Sequence, residues 1–281
     1  MSVRIKSLNT NMYLQEKGES DEDFSKRQRN AWEAILDGII VPMKTKAETK
    51  TVLVLHEVSG AGVDKELSEK IGRDLAADGF DCIEGFQTPY QLLKTIVVAR
   101  RGLISEVPDI PQEFIDDKDG LKNRYVPFVI HDEVRDINAL AVHAPLGAKP
   151  TPAAQVARKL ALLESHGAKY DIIAGDFNSG KKLSPNCTPK IIEDYNSLLD
   201  GRNFNDAANG ALTYSPTGTP DEALTSIDHI LVGGGLTVSE DNEDNEDNEG
   251  NVVFIQTKGG FKVEGHIFDH ALIKAVVSVK R

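Results

Sequence analysis

YVPFVIHDEVRDINALAVH, residues 125–143, decides the fold class. Two apolar runs, YVPFVI and DINALAVH, flank the polar stretch His131–Arg135, and so short a connection joins antiparallel strands rather than parallel ones. Strands and helices therefore do not alternate one for one, which argues against a doubly wound parallel sheet. Other apolar runs of strand length lie at Val3–Leu8, Thr51–Leu55, Thr95–Ala99, Asp171–Ala174, Ile227–Val232, Val252–Gln256 and Ala271–Val279. Helical spacing occupies Phe24–Ile40, with Trp32, Ile35, Leu36 and Ile39 on one face, and Asp64–Ala77, with Leu67, Ile71 and Leu75. Ala153–Ser165 and Pro189–Leu199 are two further helices, the last opening on proline as a first helical turn allows. The pattern is that of a mixed, largely antiparallel α/β sandwich. No linker rich in Pro, Gly or Ser divides the chain, so residues 1–281 read as one domain.

Composition narrows the function. With 40% hydrophobic and 27% charged residues the chain can bury a sizeable core. Its net charge of −12 argues against a protein held on nucleic acid or anionic membrane by charge alone, because such binding rests on clustered Lys and Arg. It leaves room for an enzyme that meets a phosphate briefly with a metal ion as positive partner. The N-terminus lacks a signal-peptide pattern and no apolar run is long enough for a membrane span, so a soluble, cytoplasmic protein without a membrane anchor is expected. Cys82 and Cys187 are the only cysteines and lack zinc-like spacing. EDNEDNEDNEG, residues 240–250, reads as a solvated, self-repelling loop; it lacks the glycine turn and ligand spacing of a calcium-binding EF-hand.

Residues able to hold a metal or a phosphate recur at the ends of apolar strands. They are Asn9 and Asn11 in SLNTN, His56 and Glu57 in LHE, His143 in VHAP, Asp176 and Asn178 in GDFN, Asp228 and His229 in SIDHILV, and Asp269 and His270 in FDHALI. Strand ends let a rigid sheet hold catalytic groups towards solvent. An isolated carboxylate such as Glu57 suits Mg²⁺ or Mn²⁺, hard ions that take oxygen ligands. A histidine with an acidic partner suits general base catalysis, which makes His270 the candidate base. If GDFN is extended, Asp176 and Asn178 point the same way and Phe177 points into the core. His229 alternates to the face opposite Asp228 and reads as structural, while His131, His166 and His266 read as loop residues. Arg100, at the end of TIVVAR, is a candidate contact for substrate phosphate.

Taken in order from residue 5 to 273, SLNTN, LHE, VHAP, GDFN, SIDHILV and FDHALI resemble the endonuclease/exonuclease/phosphatase superfamily, the DNase I-like phosphoesterases. The resemblance implies a four-layer α/β sandwich, two mixed, mainly antiparallel sheets packed face to face with helices outside. It implies a Mg²⁺- or Mn²⁺-dependent hydrolase of phosphoester bonds. Glu57 would hold the metal with help from Asn9 and Asp269, and Asp228 would partner the base His270. Asp176 would orient the attacking water, Asn178 would donate to a phosphate oxygen, and His143 would assist the leaving group or the phosphate. Asn11 stands where many relatives have an acidic residue, and His56 where the family usually has glutamine. His143, where relatives specialised for abasic DNA tend to have tyrosine, favours a nuclease-like phosphodiesterase that binds DNA or RNA transiently, with no obligate protein partner. A phosphomonoesterase, a lipid or inositol-phosphate phosphatase or a sphingomyelinase-like enzyme shares this chemistry, and a catalytically silent binding relative is the alternative of another class.

Overall fold

A computed structural model describes residues 2–12, 15, 18–45, 50–85, 93–115, 124–146, 150–167, 169–180, 188–208, 211–214, 225–239, 252–253, 270 and 272–280. Asp269, Cys187, His266, the 240–250 loop and the end of the strand expected at Val252–Gln256 lie outside these residues.

The hairpin at 125–143 forms: strands β6 (Tyr125–Ile130) and β7 (Ile137–His143) pair antiparallel, with Tyr125 opposite Val142 and Ile130 opposite Ile137. Pro127 is tolerated because β5 (Ile104–Glu106), on the other side of β6, has run out by Phe128. Next to β7, and parallel to it, lies β8 (Ile172–Asp176), followed by β10 (Asp228–Gly233) and β9 (Phe204–Asp206). This six-stranded sheet has the order β5-β6-β7-β8-β10-β9.

The second sheet has seven strands. Its order is β11 (Leu236–Ser239), β13 (Leu272–Val279), β1 (Ser2–Asn9), β2 (Thr51–Ser59), β4 (Leu93–Arg100) and β3 (Phe80–Glu84), with β12 (Val252–Val253) also on β13. Among the described residues each sheet has one parallel pair, β1 with β2 and β7 with β8, and the other pairings are antiparallel. A parallel pair needs a long crossover, and each crossover carries a helix: α1 (Asp21–Ile35) between β1 and β2, α4 (Pro152–Glu164) between β7 and β8.

Three apolar clusters fill the three gaps between four layers. Between the sheets lie Val3, Ile5, Val52, Val54, Ile172 and Ala174. The alternate residues Leu53 and Leu55 pack with Trp32 and Ile35 of α1 and with Ile71 and Leu75 of α2 (Lys65–Ala77). On the far side Ile173 and Leu231 meet Val156 and Leu160 of α4, Tyr195 of α5 (Pro189–Arg202) and Phe114 of the short α3 (Gln112–Ile115). Strands covered on both faces read as unbroken apolar runs, which is why the sequence reveals them. The four-layer sandwich expected from the sequence is the observed one.

The helices start where their caps stand. Ser20 accepts from the Asp23 amide, Asp64 from that of Leu67 and Thr151 from that of Ala154. The helix expected over Phe24–Ile40 is α1 followed by a π-helical turn, Leu36–Ile40, whose wider winding keeps Ile39 and Ile40 buried beside Ile35. Among the described residues no helix is long and apolar enough to cross a membrane.

Under the second helical layer His229 is fully buried. Its Nδ1 donates to Asp206 Oδ2 at 3.0 Å and its Nε2 to the Ser179 carbonyl at 2.9 Å, so both nitrogens carry protons. The Tyr195 hydroxyl donates to the same carboxylate at 3.2 Å. Burial alone would lower the His229 pKa, but the Asp206 charge and hydrogen bond raise it above 6.5; burial would raise Asp206, but His229 holds it below 3.8. The histidine's contribution is complete below pH 6.5 and fades as pH rises through its raised value. The aspartate's is complete above pH 3.8 and is lost as pH falls through its lowered value. His229→Ala strands a buried carboxylate and is expected to cost about 3–5 kcal/mol in urea unfolding. The deficit should be largest between pH 3.8 and 6.5 and smaller in alkali.

Candidate active site

The residues singled out at strand ends are, in the fold, terminal residues of adjacent strands. Asn9 ends β1, His143 ends β7, Asp176 ends β8 and Asp228 begins β10. In the six-stranded sheet, His143, Asp176 and Asp228 stand side by side in register. The second sheet reaches this row through Asn9, whose Nδ2 donates to Asp176 Oδ2 at 3.1 Å. Both Asn9 and Asp176 are almost fully buried.

Glu57 arrives by a bulge. The register of β2 against β4 shifts between Leu55 and Val58, and Glu57 has a left-handed backbone, φ 54°. The turn after β1 holds the bulge in place: the Thr10 amide and hydroxyl both donate to the His56 carbonyl at 2.9 Å, and the Met12 amide donates to the Glu57 carbonyl at 3.0 Å. The Glu57 carboxylate then meets His143 Nε2 at 3.1 Å and bonds Asn9. Burial would raise its pKa, but the hydrogen bond and charge of His143, with His270 and Asn9, hold it below the usual carboxylate value. His56 itself is fully buried; burial first, then the charges of His143 and His270, depress its pKa and keep the ring neutral.

The strand β8 stops at Asp176. Asn178 is left-handed, φ 45°, so the alternation expected through GDFN does not extend to it. Instead the Asn178 amide donates to Asp176 Oδ1 at 2.8 Å, and its Nδ2 donates to the Ala144 carbonyl at 2.7 Å. Phe177 does anchor the turn, wholly buried with Tyr195. On the β1 side Asn11 is likewise left-handed and its amide donates to Asn9 Oδ1 at 3.1 Å.

His270 lies before β13 and its Nδ1 donates to both Asp228 oxygens, at 2.9 and 3.0 Å. That proton fixes the tautomer and makes Nε2 the basic nitrogen. Thr213 and Tyr214, which sequence reasoning missed, brace this pair. The Thr213 hydroxyl accepts from the Ile227 and Asp228 amides at 3.1 and 3.0 Å. Tyr214 forms a backbone bridge to His270, with ring centroids 5.0 Å apart.

The donor set suits a hard divalent ion. Ligand atoms of Asp176, Asp228 and His270 lie within 4.8 Å of one another, a group able to hold an ion, and Asn9 bonds both Asp176 and Glu57, a further carboxylate that could hold one beside them. Burial first, and then the Asp228 charge, raise the Asp176 pKa, so the protein leaves negative charge here that a cation would balance. Oxygen ligands dominate, as Mg²⁺ and Mn²⁺ require.

No family model and no curated protein matches this sequence. Solved structures do. A functionally unknown conserved protein from Enterococcus faecalis superposes with TM-score 0.60 at 16% identity, covering 99% of this chain and 100% of that one. An endonuclease/exonuclease/phosphatase family protein from Bacteroides thetaiotaomicron gives 0.58 at 14%, covering 99% and 95%. TDP2 from D. rerio, complexed with single-strand DNA product, gives 0.57 at 13%, covering 99% of each chain. The fold is that of the endonuclease/exonuclease/phosphatase superfamily.

Within that DNase I-like frame the structure brings together Asn9, Asn11, Glu57, His143, Asp176, Asn178, Asp228 and His270. It separates Arg100 from them. Arg100 ends β4 opposite Phe80, whose ring its guanidinium covers at 5.7 Å, and β4 runs antiparallel to β2. Arg100 therefore sits at the far end of the sheet, on the order of 17 Å from Glu57 by strand rise. The cation at the site is Arg124, just before β6: its Nη1 lies 3.5 Å from His143 Nε2, its carbonyl accepts from the His143 amide at 2.8 Å, and no carboxylate among the described residues pairs with it. Only the hairpin register, which places Arg124 opposite His143, could have revealed it from sequence. A cleft of about 720 Å³ between β3, β5 and β6 holds none of these residues.

Thr213→Val leaves two backbone amides without their acceptor. It should lower unfolding stability by about 1–3 kcal/mol in chemical denaturation, where an exposed Thr→Val change would be neutral.

Proposed function

We propose that this chain is a divalent-metal-dependent hydrolase of phosphoester bonds, acting as a nuclease-like phosphodiesterase. The observation that carries the reading is the His270–Asp228 pair gathered with Asp176, His143 and Glu57 where both sheets end. Each element of in-line phosphoryl transfer to water has a residue suited to it. Nε2 of His270 takes a proton from the attacking water as its oxygen bonds to phosphorus, and Asp228 stabilises the imidazolium that results. Asp176, held by Asn9 and by the Asn178 amide, orients that water. The bond from phosphorus to the leaving oxygen breaks on the opposite side.

The equatorial oxygens need positive partners in a chain of net charge −12. Arg124 supplies a fixed one, and the carboxamide of Asn178 a neutral donor that adds no competing proton site. Glu57 and Asn9, with Asp269 by resemblance, would hold the metal, which when bound polarises the phosphoryl oxygen as a Lewis acid. The likeness to TDP2 with its DNA product supports a nucleic-acid substrate. A basic surface is not required for that if binding is brief and neutralisation is local.

Nicking of supercoiled plasmid at low salt with Mg²⁺ or Mn²⁺ tests the proposal. Activity should vanish with EDTA and fall about 10²–10⁴-fold in His270→Ala. Activity unaffected by EDTA would exclude metal chemistry, and no nicking would exclude a DNA nuclease. Arg124→Ala removes one charge-assisted bond to phosphate and should lower kcat/KM roughly 10- to 100-fold. Arg100→Ala should leave it unchanged, a contrast that steady-state kinetics on a short oligonucleotide would read.

A further inference from the structure

By the resemblance, His56 stands at a position of glutamine, and nothing in the proposed chemistry uses its ring. The side chain is wholly buried, continuing the inward-facing row of Val52 and Val54. In its own sheet it spans three strands: Nε2 is 3.4 Å from the Ser7 hydroxyl on β1, and Nδ1 is 3.3 Å from the Thr95 hydroxyl on β4. Hydroxyls can donate or accept, so both ring nitrogens are served whichever carries the proton.

Across the sandwich the ring meets bare backbone. A Cβ on Gly175 would lie 2.5 Å from His56 Nε2 and 1.9 Å from the Val142 carbonyl oxygen, and the Gly175 φ of +144° excludes other residues on its own account. The imidazole thus fills the space that the glycine leaves. The next residue on one side is Glu57, and on the other Asp176, the carboxylates that the two sheets bring to the site.

We propose that His56 is a positioning residue, a spacer between the sheets whose contact with Gly175 sets where the Glu57 carboxylate stands relative to His143 and Asp176. A smaller side chain would let the strand ends approach or the bulge at Glu57 rotate. Glutamine, with similar reach and both a donor and an acceptor, can fill the same place. The link from this spacing to metal affinity rests on the proposed function; the spacing itself does not.

The test pairs crystal structures with Mn²⁺ calorimetry for His56→Ala and His56→Gln. In His56→Ala the Glu57 carboxylate should leave its 3.1 Å contact with His143, and Mn²⁺ affinity should fall about 10- to 100-fold, the usual effect of losing a group that orients a ligand. His56→Gln should keep the contact and bind within about threefold of the unaltered chain. An alanine variant that keeps both contact and affinity, or a glutamine variant as impaired as alanine, overturns the proposal. Should His56→Ala fail to fold, His56→Asn, a shorter polar side chain, is read instead: a displaced Glu57 supports the spacer and an unmoved one overturns it. If the unaltered chain binds no Mn²⁺, the metal reading falls and the Glu57–His143 contact alone decides the spacer.

Discussion

The hydrogen bond from Asn9 to Asp176 joins the last residue of a strand in one sheet to the last residue of a strand in the other. The rest of the site depends on it. Each belongs to the one parallel pair that the described residues of its sheet contain, so each has a neighbour ending at the same edge: β2 delivers Glu57 and β7 delivers His143. The antiparallel strands beside them begin at that edge, and they contribute Asp228 and the approach to His270. Two crossover helices, α1 and α4, are what topology requires for those parallel pairs. Asn9, Glu57, His143, Asp176 and Asp228 are thereby held by rigid strands, as precise geometry demands.

The electrostatics follow from the same packing. Burying Asp176 beside Asp228 raises the cost of charging Asp176, and the protein answers with neutral donors and histidines rather than with lysine. His229, one residue from Asp228, faces away and satisfies a different carboxylate, so its charge serves the helical layer. Alternation along β10 is what separates a reactive pair from a structural one. The site is thus short of positive charge in a way that a divalent ion and a phosphate-bound arginine would both relieve.

Much of this was legible in the sequence because the central strands are covered on both faces. Continuous apolar runs gave their positions within one to four residues at the ends, and one short hairpin ruled out a doubly wound sheet. The strands that escaped notice, β3, β5 and β9, are short or polar edge elements such as FDCIE and FND, where no run of apolar residues exists. The site residues were legible as types at strand ends. Their conformations were not: the bulge at Glu57 and the left-handed turn at Asn178 are set by hydrogen bonds with residues distant in sequence, from the Met12 amide in the first case and to the Ala144 carbonyl in the second. Arg100 and Arg124 look alike in sequence, and only strand direction tells which reaches His143.

If the strand ends of both sheets build one cation-dependent hydrolytic centre, anomalous diffraction from crystals soaked in Mn²⁺ should show a peak roughly 2 Å from a Glu57 carboxylate oxygen, within reach of Asn9 and on the side facing His143. An anomalous map with no peak at Glu57, or with Mn²⁺ bound only elsewhere on this acidic chain, would contradict it.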